Sequence, residues 1–139
     1  MDLSFRTTPE LRDIERVREM VESTKFFYDH EVEIATELVA ERFNNGESTG
    51  YYFVFADLEG TTVAYSCFGP IEMSKTSFDL YWIATHNDYR GKGIGKKVLE
   101  ETCRQARSMG CSIIIAETSG LPHYEPTRAF YKNNGFELE

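Results

Sequence analysis

The residues best equipped for chemistry stand in one short run, Arg90-Gly91-Lys92-Gly93-Ile94-Gly95. Glycine permits positive φ and lets a ligand come close to the backbone. Ile94, Val98, Leu99, Cys103 and Ala106 follow at helical spacing, so the run falls at the start of a predicted helix over Gly93–Met109. The first N–H groups of a helix have no internal partner and lie at the positive end of its dipole. Phosphate binds well there, and Arg90 and Lys92 add charge-assisted bonds. Lys96 and Lys97 continue the run, and no carboxylate interrupts residues 90–97, although the chain as a whole carries a net charge of −8. A basic, glycine-rich island in an acidic chain points to a bound anion. The competing reading is a flexible turn with solvated lysines. The spacing Gly91-x-Gly93-x-Gly95 excludes the dinucleotide fingerprint. A P-loop is excluded too: the glycines stand one residue too close, and Lys97 occupies the place of the Mg²⁺-binding Ser or Thr.

Two carboxylates also suit chemistry. Asp79 lies six residues before Thr85 in a predicted strand, so regular alternation puts it on one face with Tyr81, Ile83 and Thr85. It is read equally as a surface carboxylate at the strand's start. Glu117 follows the apolar run Ile113-Ile114-Ile115-Ala116, at the C-terminal end of a strand, where α/β sheets place their ligands. There it deprotonates or binds an amine, or it turns to solvent. His30, His86 and His123 form neither an H-x-x-x-H motif nor a Cys/His pair, and no metal is predicted.

These residues need elements to position them. Leu3–Thr7 alternates like a short strand, and Leu11–Glu22 and Asp29–Phe43 carry apolar residues at helical spacing. Tyr51–Ala56 and Thr62–Phe68 flank Asp57-Leu58-Glu59-Gly60 as an antiparallel hairpin. Ser77–Thr85 is a further strand. Ser112–Ala116 is so apolar that it reads as a strand buried on both faces. Pro126 opens a last helix that stops at Asn134-Gly135. The strand from Ser77, the helix from Gly93 and the strand from Ser112 make one right-handed βαβ unit. The predicted fold is therefore α/β (α+β): a mixed central sheet with antiparallel strands first, then a parallel βαβ unit, with helices on both faces.

The segment Ile83-Ala84-Thr85-His86-Asn87-Asp88-Tyr89 with Arg90-x-x-Gly93-x-Gly95 resembles the acetyl-CoA signature of the GNAT N-acetyltransferase superfamily. Ala129-Phe130-Tyr131-Lys132-Asn133-Asn134-Gly135-Phe136 is similar to that family's closing element, and the order of elements agrees over nearly the whole chain. The resemblance implies direct transfer of an acetyl group from acetyl-CoA, as co-substrate, to an amine in a ternary complex. It assigns Ile83, Ala84 and Thr85, on a bulged strand, to the pantetheine and thioester, with the Ile83 N–H as oxyanion donor. It assigns Arg90, Gly91, Lys92, Gly93, Ile94 and Gly95 to the pyrophosphate, with Lys96 beside them. Tyr131 takes the place of the acid that protonates the departing thiolate, and Asp79 matches a position where some members carry a catalytic glutamate. Glu117 is the second candidate base. Phe26-Phe27-Tyr28-Asp29 and the His123 loop border the acceptor side. The expected function is an enzyme acetylating a primary amine of a small molecule. A protein N-terminus or lysine as acceptor, and a non-catalytic acyl-CoA-binding module, are the alternatives.

Family members continue past Gly-Phe with another strand, whereas this chain stops at Glu139. The expectation is a single domain over 1–139 that lacks its C-terminal strand, with an open sheet edge that a homodimer partner can cover. The remaining expectations come from composition. The negative charge argues against a nucleic-acid backbone as partner. No apolar run approaches the ~20 residues needed to cross a bilayer. Three unpatterned cysteines and an N-terminus without signal-peptide character suit the cytoplasm.

Overall fold

The computed structural model describes residues 2–138. In chain order its elements are β1 (Leu3–Arg6), α1 (Leu11–Ser23), α2 (Asp29–Asn45), β2 (Tyr52–Leu58), β3 (Thr61–Pro70), β4 (Ser77–Thr85), α3 (Ile94–Ser108), β5 (Ile113–Ala116) and α4 (Glu125–Asn133), with short 3₁₀ turns between some of them. The five strands form one sheet in the order β1-β2-β3-β4-β5. All neighbours are antiparallel except β4 and β5, which run parallel on either side of α3. This is the mixed sheet that the sequence predicts.

The β2–β3 connection is tight because Glu59 and Gly60 both take positive φ, 51° and 83°, the backbone of a type I′ turn. Alternation along β2 and β3 then builds two cores. Phe53, Phe55, Tyr65 and Cys67 face α1 and α2, where Val17, Met20, Val21, Val32 and Val39 cover them. Val54, Ala56, Ala64 and Phe68 face the other side, against Ile94, Val98 and Leu99 of α3. Both clusters are almost fully removed from water. Burying each large side chain stabilises the fold by about 1.5–3 kcal/mol.

A buried ionic network fixes the start of α1 to the sheet. Arg6 on β1 donates a fork of two hydrogen bonds to Asp13, both 2.9 Å, and a third from Nε to Asp57 on β2 at 2.7 Å. Asp13 also accepts the Glu10 N–H at 2.7 Å, as the third helical residue of a capping box does.

Two expectations need correction. Strand β5 is not buried on both faces. Ile114 and Ala116 pack on the α3 side, but Ile113 and Ile115 are 57% and 41% exposed. The cause is position: β5 is the last strand of the sheet, and α1 packs over β3 and β4 instead. Asp79, moreover, does not share a face with Ile83 and Thr85. Cys67 pairs with Trp82 and Phe68 with Leu80, which leaves Tyr81 as an extra residue. This β-bulge reverses the alternation. Phe78, Leu80 and Ile83 therefore face α3, while Trp82 and Ala84 join the α1–α2 core. Asp79 and Tyr81 lie on the α1–α2 side. The bulge residue is held in place: Tyr81 meets Tyr51 edge-on at 5.7 Å and lies over Gly69. A Cβ on Gly69 would fall 3.4 Å from Tyr81 Cε2 and 2.1 Å from the Gly50 carbonyl oxygen, so only glycine fits there.

Candidate active site

The bulge also ends the pairing of β4 with β5. The parallel register runs from Ser77↔Ile113 to Leu80↔Ala116 and stops, whereas β4 continues to Thr85 against β3 alone. The two strands splay, and a cleft of about 600 Å³ opens between β4, the glycine-rich turn, Glu117 and the face of α4 bearing Phe130 and Tyr131.

One edge of β4 therefore lacks a strand partner beyond the bulge. The His86 N–H bonds the Val63 carbonyl of β3 at 2.8 Å. N–H groups alternate in direction along a strand, so the Ala84 N–H also points to β3. Those of Ile83 and Thr85 point to the open side. Ile83, Ala84 and Thr85 all line the cleft, but Ala84 contributes no outward N–H, and its methyl group lies in the α1–α2 core.

The chain then makes one 3₁₀ turn, Asn87–Tyr89. The Asp88 N–H bonds His86 Nδ1 at 3.1 Å, and the Asn87 N–H bonds Ser23 Oγ at the end of α1 at 3.0 Å. Gly91 and Gly93 follow with φ of 78° and 77°, and nothing in the protein lies within 4 Å of where their Cβ atoms would be. Gly93 is the N-cap of α3, and the first bond across the helix start runs from the Lys97 N–H to the Gly93 carbonyl at 3.3 Å. The N–H groups of Ile94, Gly95 and Lys96 precede it and have no intrahelical acceptor. Apart from His86 with Asp88, the ion pairs among the described residues sit elsewhere, on Arg6, Arg12, Arg16, Arg18, Arg42 and Arg104. Arg90, Lys92 and Lys96 are exposed, and Lys92 Nζ lies 5.7 Å from the centre of the Tyr89 ring. The turn thus has the free donors and positive charge of an anion site. Gly95 forms its floor: a Cβ there would meet Phe130 Cε1 at 3.5 Å and Thr85 Oγ1 at 3.6 Å.

Tyr131 lines the cleft between Phe130 and Phe136, with ring centroids 5.5 and 5.1 Å away. Burial pushes its hydroxyl up to about 12, so it stays protonated at neutral pH and is able to donate. Glu117 is exposed at the cleft wall. Asp79 stands opposite Ile115, two residues before Glu117, and does not line the cleft. Its carboxyl is raised above the ordinary range, first by burial and then by the charge of Glu117. The structure therefore brings Tyr131, Glu117 and the glycine turn to one cleft and leaves Asp79 beside it.

Trp82 and Glu31 also line the cleft, and sequence reasoning missed both. Alternation puts Trp82 on the face opposite Ile83, where the structure also has it, yet both line the cleft. A lone tryptophan just ahead of the glycine turn was the available signal. A groove of about 580 Å³ along the outside of α3, lined by Phe5, Glu100 and Arg104 among others, holds none of the predicted site residues. Among the described residues no cluster of three His, Cys, Asp or Glu side chains is placed to hold a metal, and no helix is long and apolar enough to cross a membrane.

A mixed sheet whose parallel pair splays over a glycine-rich helix N-terminus defines an acyltransferase-type fold. The sequence matches the acetyltransferase (GNAT) family model over residues 13–136, and the chain belongs to that family. A crystal structure of a GNAT-family acetyltransferase from Desulfovibrio desulfuricans superposes with a TM-score of 0.97 at 39% identity, covering 99% of this chain and 87% of that one. An aminoglycoside acetyltransferase from an uncultured soil metagenomic sample gives a TM-score of 0.78 at 19% identity, covering 100% and 94%. The PaiA N-acetyltransferase of Thermoplasma acidophilum, solved with coenzyme A, gives 0.71 at 18%, covering 100% and 92%. These last two are alike in fold only. Among curated proteins, none matches the sequence.

Proposed function

We propose that the protein transfers an acetyl group from acetyl-CoA to a primary amine of a small molecule by direct attack in a ternary complex. The observation that carries this reading is the splayed cleft, lined by the open helix N-terminus and cations of the glycine turn, by Glu117 and by Tyr131. Arg90, Lys92 and the N–H groups of residues 91–96 bind the pyrophosphate of the donor, with Lys96 extending the positive surface. The outward N–H groups of Ile83 and Thr85 hold the pantetheine arm as a neighbouring strand would. The Ile83 N–H stabilises the oxyanion of the tetrahedral intermediate.

An amine attacks only when unprotonated. Glu117 accepts its proton, directly or through water, because Glu117 lines the cleft and Asp79 does not. Asp79 stands as a second carboxyl near Glu117, outside the cleft lining. The amine nitrogen bonds the thioester carbonyl carbon, the C–S bond breaks, and Tyr131 gives its proton to the thiolate. This division of roles follows from placement: a phenol held neutral by burial suits an acid, and an exposed carboxylate suits a base.

Titration calorimetry of the 139-residue chain with acetyl-CoA, in the presence of EDTA, tests the reading. Saturable 1:1 binding without divalent metal is expected. Absence of binding at millimolar ligand would refute it.

A further inference from the structure

One wall of the cleft is made of rings. Trp82 of β4 meets Phe27 at 4.9 Å and 59°. Phe27 meets Phe26 edge-on at 5.0 Å, and Phe26 meets Tyr124 edge-on at 4.9 Å. Four side chains from three separate parts of the chain thus form one continuous series: β4, the α1–α2 connection, and the segment that enters α4. Each of the four lines the cleft and is only half-buried. One side of each ring rests on its neighbour while another meets the cleft. Eight of the 23 residues lining the cleft are aromatic, whereas aromatics make up 14% of the chain, so the enrichment belongs to the site.

The charges of the cleft are sorted by element. Its lining cations, Arg90 and Lys96, belong to the glycine turn and α3. Its lining carboxylates, Glu31 and Glu117, stand at the ring wall and at the end of β5. Glu31 is fixed there, because its Oε1 accepts the Tyr28 N–H at 2.9 Å in the first turn of α2. It lies close to the wall: burial, and then the charge of Glu31, push the Tyr124 hydroxyl up.

We infer, resting on the acetyl-transfer reading above, that the acceptor is a primary amine carried on an aromatic or similarly flat apolar body, of the arylalkylamine class. Rings offered edge and face favour another ring between them, and an ammonium arriving at the site is drawn to Glu31 and Glu117. A polyhydroxylated amine fits poorly. Its hydroxyls would lose water against carbon walls without gaining partners, and a site rejects groups it leaves unpaired. A long aliphatic polycation would find only two lining carboxylates for its several ammonium groups, and its methylene chain would fill the flat space between rings poorly.

The test measures initial rates of CoA release at saturating acetyl-CoA with 2-phenylethylamine, tryptamine, n-butylamine, spermidine and kanamycin. The two arylalkylamines should exceed spermidine and kanamycin in kcat/KM by about tenfold or more. Phe26→Ala should raise KM for 2-phenylethylamine several-fold more than KM for n-butylamine, and Phe26→Tyr, which keeps the ring, should restore it. A purely structural role for Phe26 would move both amines together and would overturn the inference. Preference for spermidine or kanamycin, or binding of acetyl-CoA with no rate on either arylalkylamine, also overturns it and leaves the donor reading intact. Failure to bind acetyl-CoA in calorimetry removes both readings.

Discussion

Tyr131 shows how much one residue type at one place implies. Its apolar neighbours Phe130 and Phe136 keep it from ionising, and that same burial suits it to deliver a proton. Tyr131→Phe keeps the ring and removes the proton. We predict that kcat falls by about 10²-fold or more while acetyl-CoA affinity in calorimetry is unchanged; an unaltered kcat would assign the tyrosine to packing. The hydroxyl's raised pKa also has a stability consequence. Folding favours the protonated phenol, so its contribution is complete below about pH 10 and is lost as pH rises toward about 12. Tyr131→Phe should therefore flatten the alkaline limb of a stability–pH profile. At this scale the shared cleft of Tyr131 and the Arg90–Gly95 run was legible, the run from its glycine spacing at a helix start and Tyr131 from the family resemblance of its closing element. The facing of Asp79 was not, because it depends on whether one strand carries an extra residue, and counting by twos contains no such information.

Among the elements, helices and strands were legible to within a few residues wherever apolar periodicity was strong, as in α1, α3 and the β2–β3 hairpin. The misreading of β5 has a physical cause. An unbroken apolar run reports hydrophobicity on both faces without reporting what covers them, and among the described residues no element covers Ile113 and Ile115. The network around Arg6 was also invisible in the sequence, since it joins residues far apart in the chain. It ties β1, α1 and β2 together through side chains that are 20%, 1% and 10% exposed for Arg6, Asp13 and Asp57. Arg6→Ala would leave buried Asp13 without its cation and Asp57 with only Arg12, at 3.8 Å, and we predict a loss of about 3 kcal/mol of stability at neutral pH by urea denaturation. Burial alone would raise the Asp57 carboxyl, but hydrogen bonds from Arg6 and Thr62 and the charge of Arg6 hold it below the usual range. Its contribution is present above the unfolded carboxylate pKa and disappears as pH falls, so the difference between Arg6→Ala and the parent should narrow in acid.

Of the sheet's two borders, β1 and β5, the second carries the more exposed apolar face. Strand β5 ends the sheet with its outer edge unpaired among the described residues, and its exposed face carries Ile113 and Ile115. Unpaired edges with apolar faces invite pairing with another chain. For the 139-residue chain we predict concentration-dependent dimerisation in sedimentation equilibrium, reversed by Ile115→Lys. A strict monomer at high concentration would exclude pairing through this edge. The order of elements, and with it the fold, was legible at this scale because two motifs fixed where the βαβ unit lies. The cleft's ring wall was not, because its members come together only when β4, the α1–α2 connection and the entry to α4 are placed in space.

Strand order equals chain order, and the distances along the chain are unequal. A two-residue turn joins β2 to β3, residues 71–76 join β3 to β4, and the whole of α3 with its flanking loops, residues 86–112, separates β4 from β5. Short closures cost less entropy than long ones, so the β2–β4 meander is the cheaply closed centre of the sheet, and β1 and β5, each held by four registered pairs, are joined to it across long connections. The cleft therefore sits beside one of the two seams that long connections close. By mass action, a ligand that bound across that seam would also count toward holding the sheet together.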